Sequence, residues 1–356
     1  MNYKNILITG GAGFVGSNLA ISFKKQFPKI TVIALDNLYR RGSELSVDRL
    51  KENGVKFVHG DIRNKEDLNL SVDLIIECSA EPSFKAGADG NTSYLIDTNL
   101  IGAINCFDLA KKNKADIIFM STSRVYPIEK INTALFEEEQ TRFTLKNKQL
   151  TKGISENGVN EDLSMEGIRS LYGSTKYCSE IILNEYEFAF ETRSIINRFG
   201  TIAGPWQMGK VDQGIVTYWL TSHVLKRDLK YFGFGGNGKQ VRDVIYIDDV
   251  FNLLLKQLEK MDDLSGKTFN VGGGIKNSIS LNELTTLCQR ITGNQVDIKK
   301  IPLTSEWDLK TYISDNQKIM DHVNWQPKIL VEKTVSNIYK WMIDNPEVIH
   351  FFEKSL

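Results

Sequence analysis

The chain has 356 residues, of which 41% are hydrophobic and 25% charged, a composition typical of a protein that folds around a buried core. Basic and acidic residues both number 44, so no excess of one sign is available to attract nucleic acid or an anionic membrane. The first residues lack the features of a signal peptide, and no run approaches the roughly 18 apolar residues of a membrane span. We therefore expect a cytoplasmic protein of two domains or one large α/β unit.

The cysteines and histidines are too scattered to indicate disulfide bonds or a metal site. The cysteines are Cys78, Cys106, Cys178 and Cys288, and the histidines are His59, His223, His322 and His350. No Cys-x-x-Cys pair occurs, so we expect a buried, reduced thiol at each cysteine. We predict no bound metal, because the spacing of a chelating cluster is absent from the sequence.

Short apolar runs alternate with helical patterns through the first 200 residues. The predicted elements are a strand at 5–9, a helix at about 15–25, strands at 31–36, 55–58 and 74–78, a helix around 99–112, a strand at 116–121, a helix at about 174–190 and a strand at 194–197. Continuous apolar strands that alternate with helices indicate a parallel sheet covered on both faces. The predicted fold is therefore α/β, a doubly wound parallel sheet of the Rossmann type.

This alternation stops after residue 198. Residues 200–206 and 233–238 are rich in loop-forming residues, whereas a strand at 241–247 and helices at 248–260 and 281–292 are predicted. We expect a Rossmann domain at 1–198, to which about 241–270 return. Residues 199–240 and 271–356 would form a smaller, interleaved α/β lobe that binds the substrate.

A glycine-rich turn, Gly10 to Gly16, follows the first strand and opens the first helix. Glycine permits a positive φ and a close approach of backbone to a pyrophosphate, and the start of a helix attracts phosphate charge. Two frames fit: Gly11-x-Gly13-x-x-Gly16 and the evenly spaced Gly10, Gly13 and Gly16. In this context the turn predicts a dinucleotide site.

The residue that ends the second strand indicates which dinucleotide is bound. Asp36 lies twenty residues after Gly16, where a carboxylate can hydrogen-bond the adenosine ribose and repel a 2′-phosphate. This favours NAD over NADP, although the nearby Arg40 and Arg41 could accommodate such a phosphate. Asp61, just after the third strand, could lie beside the adenine.

Tyr172 and Lys176 are one helical turn apart at the start of a predicted helix, so their side chains share a face. To act as a base near neutrality, a phenol must have its pKa lowered from about 10 to about 7, which corresponds to about 4 kcal/mol. A neighbouring ammonium favours the phenolate. Downstream of a dinucleotide turn, this pair predicts redox chemistry.

Ser121, Thr122 and Ser123 end the fifth strand, at the sheet edge where doubly wound folds bind their ligands. One of these hydroxyls can hydrogen-bond the oxygen that reacts.

Together these segments resemble the extended short-chain dehydrogenases/reductases, which act on nucleotide-diphosphate sugars. The resemblance covers nearly the whole chain. It rests on Thr9–Gly16, Gly60-Asp61, Asn99 within 98–102, Ser121–Tyr126, Tyr172 with Lys176, and Asn197-Arg198. It implies a homodimer or larger homo-oligomer, which the long helices near Asn99 and Ser174 could form, and a second lobe that binds the nucleotide sugar.

The resemblance also implies a role for individual residues. The catalytic residues would be Thr122, Tyr172 and Lys176. Those at the NAD site would be Gly10, Gly13, Phe14, Val15, Gly16, Asp36, Asn37, Asp61, Ile62, Ala80, Asn99, Tyr172 and Lys176. Those that bind the substrate would be Thr122, Ser123, Arg124, Asn197, Gln213 and Arg242, with Arg242 on the diphosphate.

The residues after Thr122 distinguish between the reactions of this family. Dehydratases carry an acid and a base there, and neither Ser123 nor Arg124 can serve in those roles. Epimerisation needs only Thr122, Tyr172 and Lys176, and retention of the Tyr-Lys pair disfavours a non-catalytic NAD-binding module.

The substrate is less well defined by the sequence. Segments 35–43, 60–64, 212–214 and 236–243 are similar to the family's 2-epimerases of CDP-linked sugars, as are 270–274 and 277–281. A 4-epimerase of UDP-hexoses is the alternative. The chain departs from its relatives at Glu77 to Glu81, where they carry a His-x-Ala segment, and at Pro127, where they carry glycine.

Overall fold

The computed structural model describes residues 3–83, 85–87, 90–210 and 213–355. The strands are β1 Asn5–Thr9, β2 Thr31–Asp36, β3 Lys56–His59, β4 Leu74–Glu77, β5 Asp116–Thr122, β6 Phe136–Glu138, β7 Phe143–Leu145, β8 Ile154–Ser155, β9 Gly158–Val159, β10 Ser194–Phe199, β11 Thr201–Ala203, β12 Leu229–Phe232, β13 Val241–Tyr246, β14 Lys267–Val271, β15 Ser278–Ser280, β16 Ile298–Ile301 and β17 Thr311–Tyr312.

The α-helices are α1 Phe14–Gln26, α2 Ser46–Glu52, α3 Ser93–Ile96, α4 Ala103–Asn113, α5 Ile128–Asn132, α6 Leu171–Phe190, α7 Ile215–Val224, α8 Ile247–Glu259, α9 Met261–Leu264, α10 Leu281–Thr292, α11 Gln317–Val323, α12 Val331–Asp344 and α13 Pro346–Ser355. A π-helical segment, Asp97–Gly102, joins α3 to α4. The helix predicted around 99–112 is therefore the second half of a longer helical run. Its wider turn contains Asn99, and such π turns often occur at functional sites.

A seven-stranded sheet has the order β14-β10-β5-β4-β1-β2-β3. The pairs from β5 to β3 run parallel, with β1 between β2 and β4. Strand order thus reverses at β1, which brings the carboxyl ends of β1 and β4 to one crevice. The predicted doubly wound fold is confirmed.

The core beneath this sheet explains why its strands read as continuous apolar runs. Leu7, Ile75 and Ile117 are fully buried on adjacent strands and pack with Phe107 of α4 and Leu183 of α6. Because helices cover the sheet, residues on either face of a strand avoid water.

The chain divides into two compact units. The first contains residues 1–125, 170–198 and 250–269, and the second contains 126–169, 199–249 and 270–356. The sequence patterns instead place residues 126–169 in the first unit. They also predict that the chain returns to this unit at about residue 241. The difference at 241–249 has a physical cause, because β13 pairs with β11, β15 and β17 and its backbone hydrogen bonds hold it in the second unit.

The second unit has its own core. Trp219 stacks on Tyr231 with ring centroids 5.7 Å apart, and its indole N–H donates to the Thr285 hydroxyl at 2.9 Å. Helix α7, which carries Trp219, was missed by the sequence patterns. Seven of its ten residues are buried, so it lacks the polar face by which an amphipathic helix is identified.

The free thiols differ in their surroundings. Cys106 and Cys288 are buried as expected, whereas Cys178 is exposed. The expectation was wrong for Cys178, because it lies on the outer face of α6, and Cys78, just after β4, is only half-buried. Within the described ranges, no helix is long and apolar enough to cross a bilayer, and no three His, Cys, Asp or Glu side chains cluster as a metal site would require.

The start of α10 provides a test of the fold. Ser280 accepts a hydrogen bond from the Glu283 amide at 3.1 Å, while the Glu283 carboxylate accepts one from the Ser280 amide at 2.9 Å. Because this reciprocal cap satisfies two amides, we expect Ser280→Ala to lower the free energy of unfolding by about 1 kcal/mol. Urea denaturation followed by circular dichroism measures the change. Ser336→Ala, in the middle of α12, is the control and should have almost no effect, so equal losses would refute the cap.

Candidate active site

The glycine-rich turn packs tightly against two strands. Gly10 has φ of +58°, and a Cβ at this position would lie 2.9 Å from the carbonyl oxygen of Cys78. A Cβ on Gly11 would lie 2.6 Å from Cα of Ala34, and one on Gly16 would collide with the Gly10 carbonyl. Three of the glycines are therefore required by the packing of the turn itself.

Gly13 is the exception and is the N-cap residue that directly precedes α1. Its φ of −70° suits any residue, and a Cβ there would lie 3.1 Å from the Gly10 oxygen. Within the part of the chain that the structure describes, no side chain caps α1 and no acidic residue occupies its first turn. The amides that open this 13-residue helix, including those of Phe14 and Val15, carry the positive end of its dipole. The turn therefore fits the pyrophosphate of a dinucleotide.

Asp36 links this turn to the loop after β2. Its carboxylate accepts hydrogen bonds from the Ala12 amide at 3.0 Å and the Leu38 amide at 2.8 Å. Burial raises the pKa of Asp36, and these amide hydrogen bonds oppose the rise. The Gly13 amide also hydrogen-bonds this carboxylate, and the three amides leave one of its roughly four acceptor sites for a ribose hydroxyl, so the position suits the predicted role.

The side chains expected at the adenine end form a connected group. The Asn37 amide donates to Asp61 at 2.9 Å, and the guanidinium of Arg63 forms an ion pair with the same carboxylate at 2.6 Å. Although partial burial acts in the opposite direction, the hydrogen bonds from Arg63 and Asn37 lower the pKa of Asp61 to about 2. Sequence reasoning missed the rings of Tyr39 and Tyr94, which stack at 4.1 Å nearby.

Asn99 holds the loop after β4. Its amide group accepts from the Glu81 amide at 2.7 Å and donates to the Glu81 carbonyl at 3.1 Å, and it also donates to the Thr175 hydroxyl at 3.3 Å. Asn99 is fully buried, so its position suits support of this loop rather than direct contact with a ligand. The same loop includes Ala80, which is half-buried. Ile62 packs against Gly102 of the π-helical segment.

The predicted catalytic residues meet where β5 ends and α6 begins. The Ser170 hydroxyl accepts from the Gly173 amide at 3.2 Å and caps α6. This start places Tyr172 on the buried face of the helix, where its hydroxyl hydrogen-bonds the side chain of Thr122. The Thr122 oxygen also accepts from the Arg124 amide at 3.1 Å. The structure therefore brings Thr122 and Tyr172 together.

The electrostatic environment of Tyr172 is mixed. Burial raises its pKa, and the hydrogen bond from Thr122 and the charge of Arg124 act to lower it. The carboxylates of Glu77 and Glu81 raise it further. An additional positive charge, such as an oxidised nicotinamide ring, would favour the phenolate that a base requires.

Lys176 has a partner that sequence reasoning missed. Its ammonium lies 3.3 Å from the carboxylate of Glu77 and 3.8 Å from the ring centroid of Phe119. Both charged side chains are buried, with 2% and 0% of their surfaces exposed. A signal for this pair was present in the sequence, because the chain departs from the relatives' His-x-Ala segment at Glu77. The sequence did not indicate which cation the Glu77 carboxylate pairs with.

Two of the residues expected at the substrate, Ser123 and Arg124, lie in a 3-10 turn directly after β5 and are half-buried. The adjacent Ser121 hydroxyl instead donates to Glu180, which forms a buried ion pair with Arg198 at 2.7 Å. This pair connects β5, α6 and β10 and supports the strand end.

Asn197 does not suit the role expected for it. Its amide forms two reciprocal hydrogen bonds of 2.8 Å with the amide of Gln257, and both side chains are fully buried. Reaching a substrate would leave Gln257 unsatisfied in the core, at a cost of about 1–3 kcal/mol. We therefore correct the expectation, because Asn197 is a packing residue of the first unit.

The remaining substrate candidates lie in the second unit. Gln213 is buried just before α7, with its backbone paired to Lys210, whereas Asp212 of the same segment lies outside the described residues. Arg242 on β13 is half-buried and 3.4 Å from Asp308. Burial lowers its pKa and the two acidic neighbours, Asp308 and Asp243, oppose this.

The two kinds of glycine in the turn make a paired test. Gly13→Ala should leave the fold intact but reduce NAD binding, because the added methyl group lies where the pyrophosphate would approach. Gly11→Ala should instead destabilise the protein, since its methyl group overlaps Ala34. Isothermal titration with NAD and thermal unfolding separate the two effects. Unchanged NAD affinity in a folded Gly13→Ala variant would contradict this assignment.

Comparison with known proteins agrees with this geometry. Residues 6–272 match the NAD dependent epimerase/dehydratase family. The chain is 31% identical to a CDP-paratose 2-epimerase of Salmonella typhi over 94% of its length and 98% of that protein. It is 26% identical to a UDP-glucuronate 4-epimerase of Thermodesulfobacterium geofontis over 96% and 97% of the two chains.

Solved structures show the same fold. A UDP-glucuronic acid 4-epimerase of Bacillus cereus, crystallised with UDP-glucuronic acid and NAD, has a TM-score of 0.76 and 22% identity over 96% of this chain and 99% of its own. The epimerase Mth375 of Methanothermobacter thermautotrophicus has a TM-score of 0.78 and 20% identity over 98% and 94%. The predicted family resemblance and the NAD cofactor are confirmed. The chain is an enzyme that belongs to the NAD dependent epimerase/dehydratase family.

Proposed function

We propose that this enzyme epimerises a nucleotide-diphosphate sugar through a transient keto intermediate, with a CDP-linked sugar inverted at C2 as the substrate. The observation that carries the proposal is the buried Thr122–Tyr172 contact next to Lys176, with Ser123 and Arg124 where a dehydratase needs its acid and base. The 31% identity to a CDP-paratose 2-epimerase over nearly both chains supports the sugar class.

We propose that different residues of the NAD site bind different parts of the cofactor. The amides at the start of α1 bind the pyrophosphate, Asp36 binds the adenosine ribose, and Asn37 with Asp61 face the adenine. Bound at this site, NAD would supply reversible hydride transfer to and from the sugar carbon. We propose that Lys176 orients this cofactor.

Tyr172 is the proton carrier in the proposed mechanism. As the phenolate, it removes the proton of the sugar hydroxyl while the C–H bond breaks, so that a carbonyl forms. Thr122 hydrogen-bonds the same oxygen and holds it in place. The keto sugar then presents its opposite face, and Tyr172 returns the proton as the C–H bond re-forms with inversion. The reaction leaves no net oxidation or reduction.

In the second unit, we propose that Arg242 binds the diphosphate of the sugar nucleotide. A guanidinium presents paired N–H donors that match phosphate oxygens, and its contact with Asp308 at 3.4 Å is long enough to be exchanged for a phosphate. Gln213, buried at the start of α7, is a second candidate for a polar contact with the substrate.

A 4-epimerase of UDP-linked sugars is the second candidate. It is favoured by the 26% identity to a UDP-glucuronate 4-epimerase over 96% of the chain. The same three catalytic residues serve either reaction, since the sugar position that faces Tyr172 determines which carbon is inverted. Incubation with a panel of CDP- and UDP-sugars, with epimers separated by chromatography, distinguishes the two candidates.

Replacement of the proposed base is the sharpest test of the chemistry. Tyr172→Phe should lower kcat by about 10²–10⁴-fold, because general-base catalysis of that size is lost, while NAD binding is retained. Tyr186→Phe is the matched control on the same helix, since the Tyr186 hydroxyl bonds Asp108 at 2.7 Å. Full turnover by Tyr172→Phe, or stoichiometric release of NADH with product, would exclude the epimerase mechanism.

We propose further that the protein forms a homodimer through α6 and the helical run before it. Leu171, Cys178, Ile181 and Phe188 form an exposed stripe along α6, because their spacing places them on one face. Phe188 is 85% exposed, and Ile96 and Ile101 expose further apolar surface on the preceding helical run. An uncovered apolar stripe of this kind marks an interface.

A charge placed in this stripe should separate the subunits. We expect Ile181→Asp to elute as a monomer where the unaltered protein elutes as a dimer, because a carboxylate would be desolvated at the interface. Light scattering after size-exclusion chromatography measures the mass. Leu303→Asp, at an 84% exposed position in the second unit, is the control and should leave the mass unchanged. A monomeric unaltered protein would refute the proposal.

A further inference from the structure

Five residues at the adenine end of the NAD site form a closed circuit of contacts. The rings of Tyr39 and Tyr94 stack with their centroids 4.1 Å apart, and the Arg63 guanidinium lies 4.8 Å from the Tyr94 centroid. Arg63 pairs with Asp61 at 2.6 Å, and Asp61 accepts a hydrogen bond from the side-chain amide of Asn37 at 2.9 Å. The Asn37 side-chain oxygen accepts from the backbone amide of Tyr39 at 3.0 Å, which closes the circuit.

The circuit joins three segments that are separated in the sequence. Asn37 and Tyr39 lie in the loop after β2, Asp61 and Arg63 lie in the turn after β3, and Tyr94 lies in α3. The loop and the turn carry the two residues proposed to face the adenine, Asn37 and Asp61. Tyr94 contacts both segments, so it connects the helical run that begins with α3 to each of them.

The stack between the two tyrosines contributes little to the buried core. Tyr39 is 64% exposed and Tyr94 is half-buried, so the pair removes little apolar surface from water. The backbone before Tyr39 is also strained, because Leu38 has φ of +55°, a conformation that is rare for this type of residue. A hydrogen bond of 2.8 Å from the Leu38 amide to Asp36 holds it there. Strain of this kind is concentrated at ligand clamps and active sites.

We infer that the Tyr39–Tyr94 stack is a latch that slows the release of NAD. In the proposed site the adenine lies against Asn37 and Asp61, and the loop that carries Asn37 can move away from α3 only when the two rings separate. The inference rests on the proposed function, because it uses this position of the adenine. Slow release suits the proposed reaction, since loss of the reduced cofactor would leave the keto sugar unreduced.

The test is a measurement of cofactor release from the full-length protein without any sugar. Protein loaded with NADH is mixed with excess NAD, and the loss of the fluorescence of bound NADH gives the release rate. We expect Tyr39→Ala to raise this rate about twofold to tenfold, which corresponds to the energy of one aromatic pair. Tyr39→Phe keeps the ring and should release NADH at the original rate.

A double-mutant cycle separates a latch from two independent contacts with the cofactor. Tyr94→Leu removes the second ring but keeps an apolar side chain, and we expect it to speed release by about the same factor as Tyr39→Ala. Each change breaks the same stack, so the double variant should release NADH little faster than either single variant. Effects that multiply would show that each ring acts separately, and they would overturn the latch.

Phe190 provides the matched control. Its ring is 51% exposed and packs edge-to-face with Tyr186 at 5.3 Å, so Phe190→Ala also removes an exposed aromatic pair. Phe190 is the last residue of α6, about 27 Å along the helix from Tyr172, and its variant should release NADH at the original rate. Thermal unfolding and light scattering of each variant show that the fold and the assembly are unchanged.

The outcomes separate the latch from the proposed function. Unchanged release by Tyr39→Ala overturns the latch even if sugars are epimerised. Faster release, with the expected cycle, supports the latch even if no sugar in the panel is epimerised, a result that would overturn the proposed function alone.

Turnover provides a second measurement once a sugar is accepted. Tyr39→Ala should lose activity during the reaction and regain it when NAD is added, because each NADH that escapes leaves one keto sugar behind. The unaltered protein and Phe190→Ala should keep their activity without added NAD. Equal loss of activity in Phe190→Ala would contradict the latch.

Discussion

Burial of charge at the carboxyl edge of the parallel sheet is the constraint on which this active site depends. Strands β1, β4 and β5 end side by side, and helices exclude water from both faces, so an ionised group at this edge must find a partner within the protein. Glu77 pairs with Lys176, Glu180 pairs with Arg198, and Asp36 accepts backbone amides. Each partner fixes a side chain in one position, which catalysis requires.

The same constraint connects the cofactor turn to the catalytic helix. Thr9, the last residue of β1, directly precedes the glycine-rich turn, and its hydroxyl donates to the carboxylate that holds Lys176. Asn99, in the π-helical segment, joins the loop after β4 to Thr175 on α6. A displacement of either element would therefore disturb both the proposed nucleotide contacts and the position of Tyr172.

The second unit folds around a hydrophobic core of its own. Its aromatic core, with Trp219 stacked on Tyr231, is independent of the large sheet. Strand β13 is held by pairing with β11, β15 and β17 and carries Arg242 at a half-buried position. Variation in such a unit can change the ligand while the redox chemistry stays the same, which agrees with relatives named as 2-epimerases, 4-epimerases and dehydratases.

The sequence by itself determined the features that depend only on residues close together along the chain. The turn before α1, Asp36 at the end of β2, and the spacing of Tyr172 and Lys176 follow from local rules of φ, strand length and helical periodicity. Only the tertiary structure showed that Glu77 meets Lys176, 99 residues away, and that Asn197 is used by Gln257. These contacts depend on strand order and on which helix covers which strand, and a pattern within one segment carries no information about either.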